Sequence, residues 1–168
     1  KKESLVLSSH QLMSYLKINI ALFCLFFYSS SISQNHIDSF RMYNDVKLTL
    51  DIPQNKYKET VLILFALPNG NTTEQTMGKR LQPNDDWHFD IQHIKAQTLF
   101  LREKLNKNIV VAYLENNYRS WPSWKQKHPE FKKEIHHIVD TLYGLVASRK
   151  KSIHLNGHSG GGRFIFGY

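Results

Sequence analysis

Six residues near the carboxyl end, Gly157-His-Ser-Gly-Gly-Gly162, have the types and spacing to do chemistry. Glycines at 157 and 161 stand two positions either side of Ser159, the pattern Gly-x-Ser-x-Gly. A serine on a sharp turn between strand and helix is held in strained backbone geometry, and small residues at −2 and +2 let the two elements pass closely. The helix that follows points its first amides and positive dipole end toward the serine oxygen. Negative charge developing on an attacked carbonyl is stabilised there, with the Gly160 N–H as an oxyanion donor. The flanks supply the required context: Ile153-His-Leu-Asn156 reads as a strand running into the motif, and Arg163-Phe-Ile-Phe166 as a helix start.

On these residues the sequence resembles the α/β-hydrolase superfamily, the esterases, lipases and related serine hydrolases. The resemblance is specific at Gly157–Gly162 and extends in element order over Val46 to Tyr168. It implies Ser159 as nucleophile, on an elbow formed by Gly157, His158 and Gly161, with no metal or organic cofactor. It also implies a second oxyanion amide in the loop after an earlier strand. That loop is Pro68-Asn-Gly-Asn71, so Asn69 or Gly70 is the expected donor, although the His-Gly-Gly-Gly form found in many lipases is absent. The family order is serine, then acid, then histidine, yet no His, Asp or Glu follows Ser159. His158 adjoins the nucleophile and cannot turn its imidazole onto the neighbouring hydroxyl. The expectation is therefore the amino-terminal portion of a longer enzyme, inactive alone, whose remainder supplies base, orienting carboxylate and further strands. Its last strand would present an open edge.

The elements that must position Ser159 are legible as hydrophobic patterns. Val46, Leu48, Leu50 and Ile52 alternate as a half-buried strand, paired with Phe40–Tyr43 across Asn44-Asp45. Val61-Leu-Ile-Leu-Phe-Ala-Leu67 and Ile109–Leu114 are continuous apolar runs of strand length, the mark of strands covered on both faces. Ile91, Ile94, Leu101 and Leu105 share one helical face, with Asp90 as N-cap. After Pro129, the residues Phe131, Ile135, Ile138, Leu142 and Leu145 recur at helical spacing, and Arg149-Lys-Lys151 closes that helix favourably for its dipole. Strand, helix, strand, helix, strand predicts an α/β fold: a mostly parallel sheet with helices on both faces, a partial α/β-hydrolase fold.

Other residues invite weaker readings. A phosphate cradle at Gly160–Gly162 would need Gly-Lys-Ser/Thr, and only Arg163 follows. His88 and His93, near Asp85, Asp86 and Asp90, lack the i, i+4 spacing of helical metal ligands and read as loop and capping residues. His136 and His137 are consecutive and read as surface residues. Trp87, Trp121 and Trp124 read equally as pocket walls and as core, and Glu115 lies where a strand end could line the site.

Composition excludes more than it assigns. The chain has 168 residues, 41% hydrophobic, enough for one core, and its single cysteine rules out a disulfide framework. From Met13 a short basic entry, an apolar run over Ile18–Tyr28 and Ser31 and Ser33 at −3 and −1 predict a signal peptide cleaved before Gln34. Residues 1–33 are thus expected to be upstream sequence and leader, and residues 34–168 the domain. Removing three lysines and one glutamate with that leader takes the net charge from +8 to +6. The remaining basic residues are scattered along the chain without aromatic interleaving, so no nucleic-acid partner is expected. No stable membrane span is expected after leader cleavage. The expected function is an exported serine hydrolase, periplasmic or extracellular, cleaving an ester or related acyl bond in a small-molecule or polymer substrate. A secreted, non-catalytic binding or adhesion domain on the same scaffold is the alternative.

Overall fold

Two apolar runs decide the centre of the molecule. In the computed structural model, which describes residues 35–54 and 56–168, they become β3 (Glu59–Ala66) and β4 (Asn108–Asn116). The expectations for residues 1–33 lie outside the described residues. With β1 (His36–Met42), β2 (Val46–Ile52) and β5 (Lys150–Gly157) they form a five-stranded sheet of order β1-β2-β4-β3-β5. β3 pairs in parallel with both β4 and β5. β2 runs antiparallel to β1 and to β4.

The fold is α/β, but the sheet is mixed, which corrects the expectation of a mostly parallel one. One cause is local. Met42 pairs with Val46 across a three-residue turn in which Tyr43 and Asn44 both take positive φ, and so short a connection can only reverse the chain. The hairpin read from Asn44-Asp45 therefore forms and sets β1 antiparallel to β2, while the antiparallel pairing of β2 with β4 joins distant segments.

Helices cover both faces. Val46, Leu48, Leu50, Leu62, Leu64, Val110, Ala112 and Leu114 point to one face, against α3 (Trp121–Lys127), α4 (Phe131–Leu145) and α5 (Gly162–Ile165). Val61, Phe65, Ile109, Val111 and Tyr113 point to the other, against Met77 of α1 (Thr73–Met77) and Ile94 and Leu101 of α2 (Ile94–Lys104). The predicted stripe of α4 is borne out at Ile135, Ile138 and Leu142, all fully buried together with Val139, while Leu145 is exposed. Each such side chain contributes about 1.5–3 kcal/mol by leaving water. Lys151 Nζ donates to the carbonyls of Tyr143 and Val146 at 2.7 and 3.0 Å, satisfying the carboxyl end of α4, although Lys150 and Lys151 themselves both belong to β5.

Two details of the helix reading are corrected. α2 begins at Ile94, not Ile91, and Asp90 does not cap it. A 3-10 turn over Trp87–Asp90, capped by Asp86, takes up that stretch, and the Asp90 carboxylate instead meets the His93 ring at 2.7 Å. On the same face the guanidinium of Arg102 reaches the fully buried Asp51 carboxylate at 2.9 Å and donates to the carbonyls of Asp51 and Ile109, tying α2 to β2 and β4.

Candidate active site

The connections at the carboxyl ends of the parallel strands diverge. The chain leaving β3 passes to α1 and α2 on one face, while the chains leaving β4 and β5 pass to α3, α4 and α5 on the other. Where neighbouring strands send their chains to opposite faces, a crevice opens at their carboxyl ends, and this is where α/β sheets bind ligands. Ala66 and Gly157 are register partners at those ends of β3 and β5. The residues that follow them, Pro68–Asn71 and His158–Gly161, are the two segments singled out by sequence.

Ser159 takes φ +51, a left-handed conformation that costs a non-glycine residue about 1–2 kcal/mol. It is exposed, at the start of a 3-10 turn (Ser159–Gly161) that leads into α5, and His158 before it is extended. The turn is tight for the reasons its glycines suggest. A Cβ on Gly157 would lie 2.8 Å from the carbonyl carbon of Gly161, and a Cβ on Gly161 would collide with the carbonyl oxygen of Ala66. The elbow is thus pressed against the end of β3. Below it, Phe164 of α5 packs edge-on to Trp121 at 4.6 Å, and Trp121 packs on Trp124 at 5.4 Å. Both tryptophans are fully buried, which decides for core packing over pocket walls; Trp87 is exposed.

The loop after β3 meets the elbow. A Cβ on Gly160 would collide with Oδ1 of Asn69, so the Asn69 carboxamide lies directly over Gly160, the residue after Ser159. Gly70 has φ +85, and Asn71 N–H points back to Pro68 O at 3.4 Å, as in a type II turn with glycine at its third position. The loop is braced by β4. Gly70 N–H donates to Arg119 O at 2.9 Å, and Asn116 Oδ1 accepts from the amides of Tyr118 and Ser120 to shape the turn after β4 that offers that carbonyl. Glu115 Oε2 accepts from the amide and hydroxyl of Thr73 at 2.9 and 2.7 Å, anchoring the first turn of α1. Glu115 therefore anchors the loop, a role its position after an apolar run did not disclose. Because the Gly70 amide is engaged by Arg119, the expected second oxyanion donor narrows to Asn69. In the elbow, Gly161 N–H is engaged by His158 O and Gly162 N–H by the carbonyls of Ser159 and Gly160.

Six of the eight histidines among the described residues are engaged away from Ser159; the other two are His154, within β5, and His158, which adjoins Ser159. His88 and His93 bond Asp86 and Asp90, His36 bonds Asp38, and His137 meets the Tyr43 hydroxyl at 2.6 Å. His136 packs against Tyr168. His128, at the end of α3, is clamped between Asp45 at 2.9 Å and Glu134 at 2.6 Å, with its ring stacked on Trp124. Burial alone would push the His128 imidazole down, but the two carboxylates outweigh it and hold the group above its ordinary value. Among the described residues no three of His, Cys, Asp or Glu converge as a metal site requires, and no helix is long and apolar enough to cross a membrane. Comparison with protein-family models, with curated proteins and with solved structures returned no match to this chain.

Proposed function

We propose that the chain carries the nucleophile and oxyanion site of an exported serine hydrolase of the α/β-hydrolase type, acting on a carboxylic ester or related acyl bond. The observation that carries this reading is Ser159 itself. It stands exposed and left-handed on a glycine-flanked turn, at a switch in chain direction, with the loop after β3 closed over its neighbour Gly160. Ser159 Oγ attacks the substrate carbonyl, and the Gly160 amide, with the amide of Asn69, holds the resulting oxyanion. A histidine outside the described residues takes the hydroxyl proton and returns it to the leaving group; water then cleaves the acyl-enzyme and regenerates the hydroxyl. The same steps serve peptide cleavage or acyl transfer when the leaving group or acceptor differs.

The protein is expected to react with a fluorophosphonate probe at Ser159, and Ser159→Ala to abolish the label. Absence of labelling, or labelling that survives the substitution, refutes the reading. The engagement of six of the eight described histidines elsewhere favours the second reading, a binding domain on the same scaffold. That reading requires no probe reaction.

A further inference from the structure

The basic residues that are scattered in sequence meet at the other end of the sheet, away from Ser159. The parallel registers set Glu59 beside Lys150 and Thr60 beside Asn108, so the amino ends of β3, β4 and β5 lie together. A cavity of about 510 Å³ opens there, lined by Tyr57, Lys58, Asn108, Ser148, Arg149 and Lys150 among others.

Its walls are held by side chains whose polar atoms are fully used. Asn108 is buried; its Oδ1 accepts from the amides of Lys56 and Tyr57 at 3.0 and 3.2 Å, and its Nδ2 donates to Tyr57 O and Thr60 Oγ1. The Ser148 hydroxyl lies 3.2 Å from Lys58 O and 3.0 Å from Lys150 O, linking the two basic segments. The backbones that carry the cations are therefore fixed before any ligand arrives, which lowers the ordering cost of binding.

Charge at this end is unbalanced. Glu59 is the carboxylate here, and it is already bonded by Lys107 at 2.9 Å and Lys150 at 3.0 Å, which hold its carboxyl below the ordinary glutamate value. Lys58 and Arg149 have no carboxylate in ion-pair range among the described residues. Four cations against one anion repel one another in the unliganded protein. An anion with several closely spaced oxygens relieves that repulsion, and Arg149 offers the forked donor geometry that suits phosphate.

We propose that this cavity binds closely spaced phosphate groups, as a soluble oligophosphate or a phosphate-bearing lipid headgroup presents them. The site is independent of the Ser159 chemistry.

The test is thermal denaturation of the chain with tripolyphosphate at constant ionic strength, so that general screening is held fixed. Saturable stabilisation is expected, with affinity falling about tenfold in Lys58→Ala and again in Arg149→Ala. A control variant, Lys127→Ala with Lys132→Ala, removes the same charge elsewhere and is expected to bind as the parent does. Without ligand, the cavity variants are expected to melt no lower than the parent, since only surface cations are lost. Sedimentation with phosphatidylcholine vesicles containing phosphatidic acid is the second arm. Vesicle binding without a tripolyphosphate response, weakened by the same two substitutions, assigns the headgroup as the source. No response in either arm, or equal weakening in the control variant, overturns the proposal.

Discussion

Gly161→Ala probes the closeness of the elbow to β3. Gly161 has an ordinary negative φ, so any cost of the added methyl is steric and not conformational. Its Cβ would collide with the carbonyl oxygen of Ala66 and lie 2.9 Å from the carbonyl carbon of Ala66 and 3.1 Å from the carbonyl oxygen of Leu67. All three atoms are backbone at the end of a central strand, which cannot swing aside as a side chain would. Overpacking of this kind costs about 1–3 kcal/mol, and the unyielding partner places Gly161→Ala near the upper end, about 3 kcal/mol. Against a total stability of about 5–15 kcal/mol, that is a large loss. Gly144→Ala is the internal reference. Gly144 lies inside α4, and its added Cβ would meet nothing within 4 Å, so helix propensity alone acts and stabilises by about 0.5–1 kcal/mol. Equilibrium urea unfolding followed by circular dichroism reads both. The midpoint should fall by about 1–2 M for Gly161→Ala and rise slightly for Gly144→Ala, with unchanged slopes. If Gly161→Ala proves as harmless as Gly144→Ala, the elbow does not rest on β3 and the packing described here is wrong.

Ser159→Gly should stabilise the fold by about 1 kcal/mol in the same assay by relieving the left-handed conformation, while Ser159→Ala leaves stability unchanged; a destabilised glycine variant would mean the turn is not strained. His128→Phe keeps the ring stacked on Trp124 but leaves Asp45 and Glu134 without their shared cation, and should cost about 2–4 kcal/mol near pH 6. Because the His128 value is raised in the folded state, the clamp stabilises fully below the ordinary imidazole range and is lost as pH rises through the raised value. Urea midpoints of parent and variant should therefore converge between pH 6 and pH 9, and a gap that widens with pH would contradict the clamp.

Features that act over a few residues were readable from the chain alone. The Gly157-x-Ser159-x-Gly161 spacing specified a tight turn because backbone clashes at −2 and +2 are local events, and φ +51 at Ser159 agrees with it. The apolar runs of β3 and β4 and the stripe of α4 were legible because burial repeats with the period of the element. Cap positions were less legible: Asp90 looked like an N-cap until Asp86 captured the chain first in a 3-10 turn. Relations between distant segments depended on register and on which face each crossover took. Those relations put Asn69 over Gly160, engaged the Gly70 amide with Arg119, and turned Glu115 into an anchor for α1. They also sent Trp121 and Trp124 into the core, reversed β2 within the sheet, and gathered Lys58, Arg149 and Lys150 around one cavity. Contacts of this kind join residues about 40 to 90 positions apart, and no local spacing encodes them, because the partner is selected only when strands pair and helices close over the sheet.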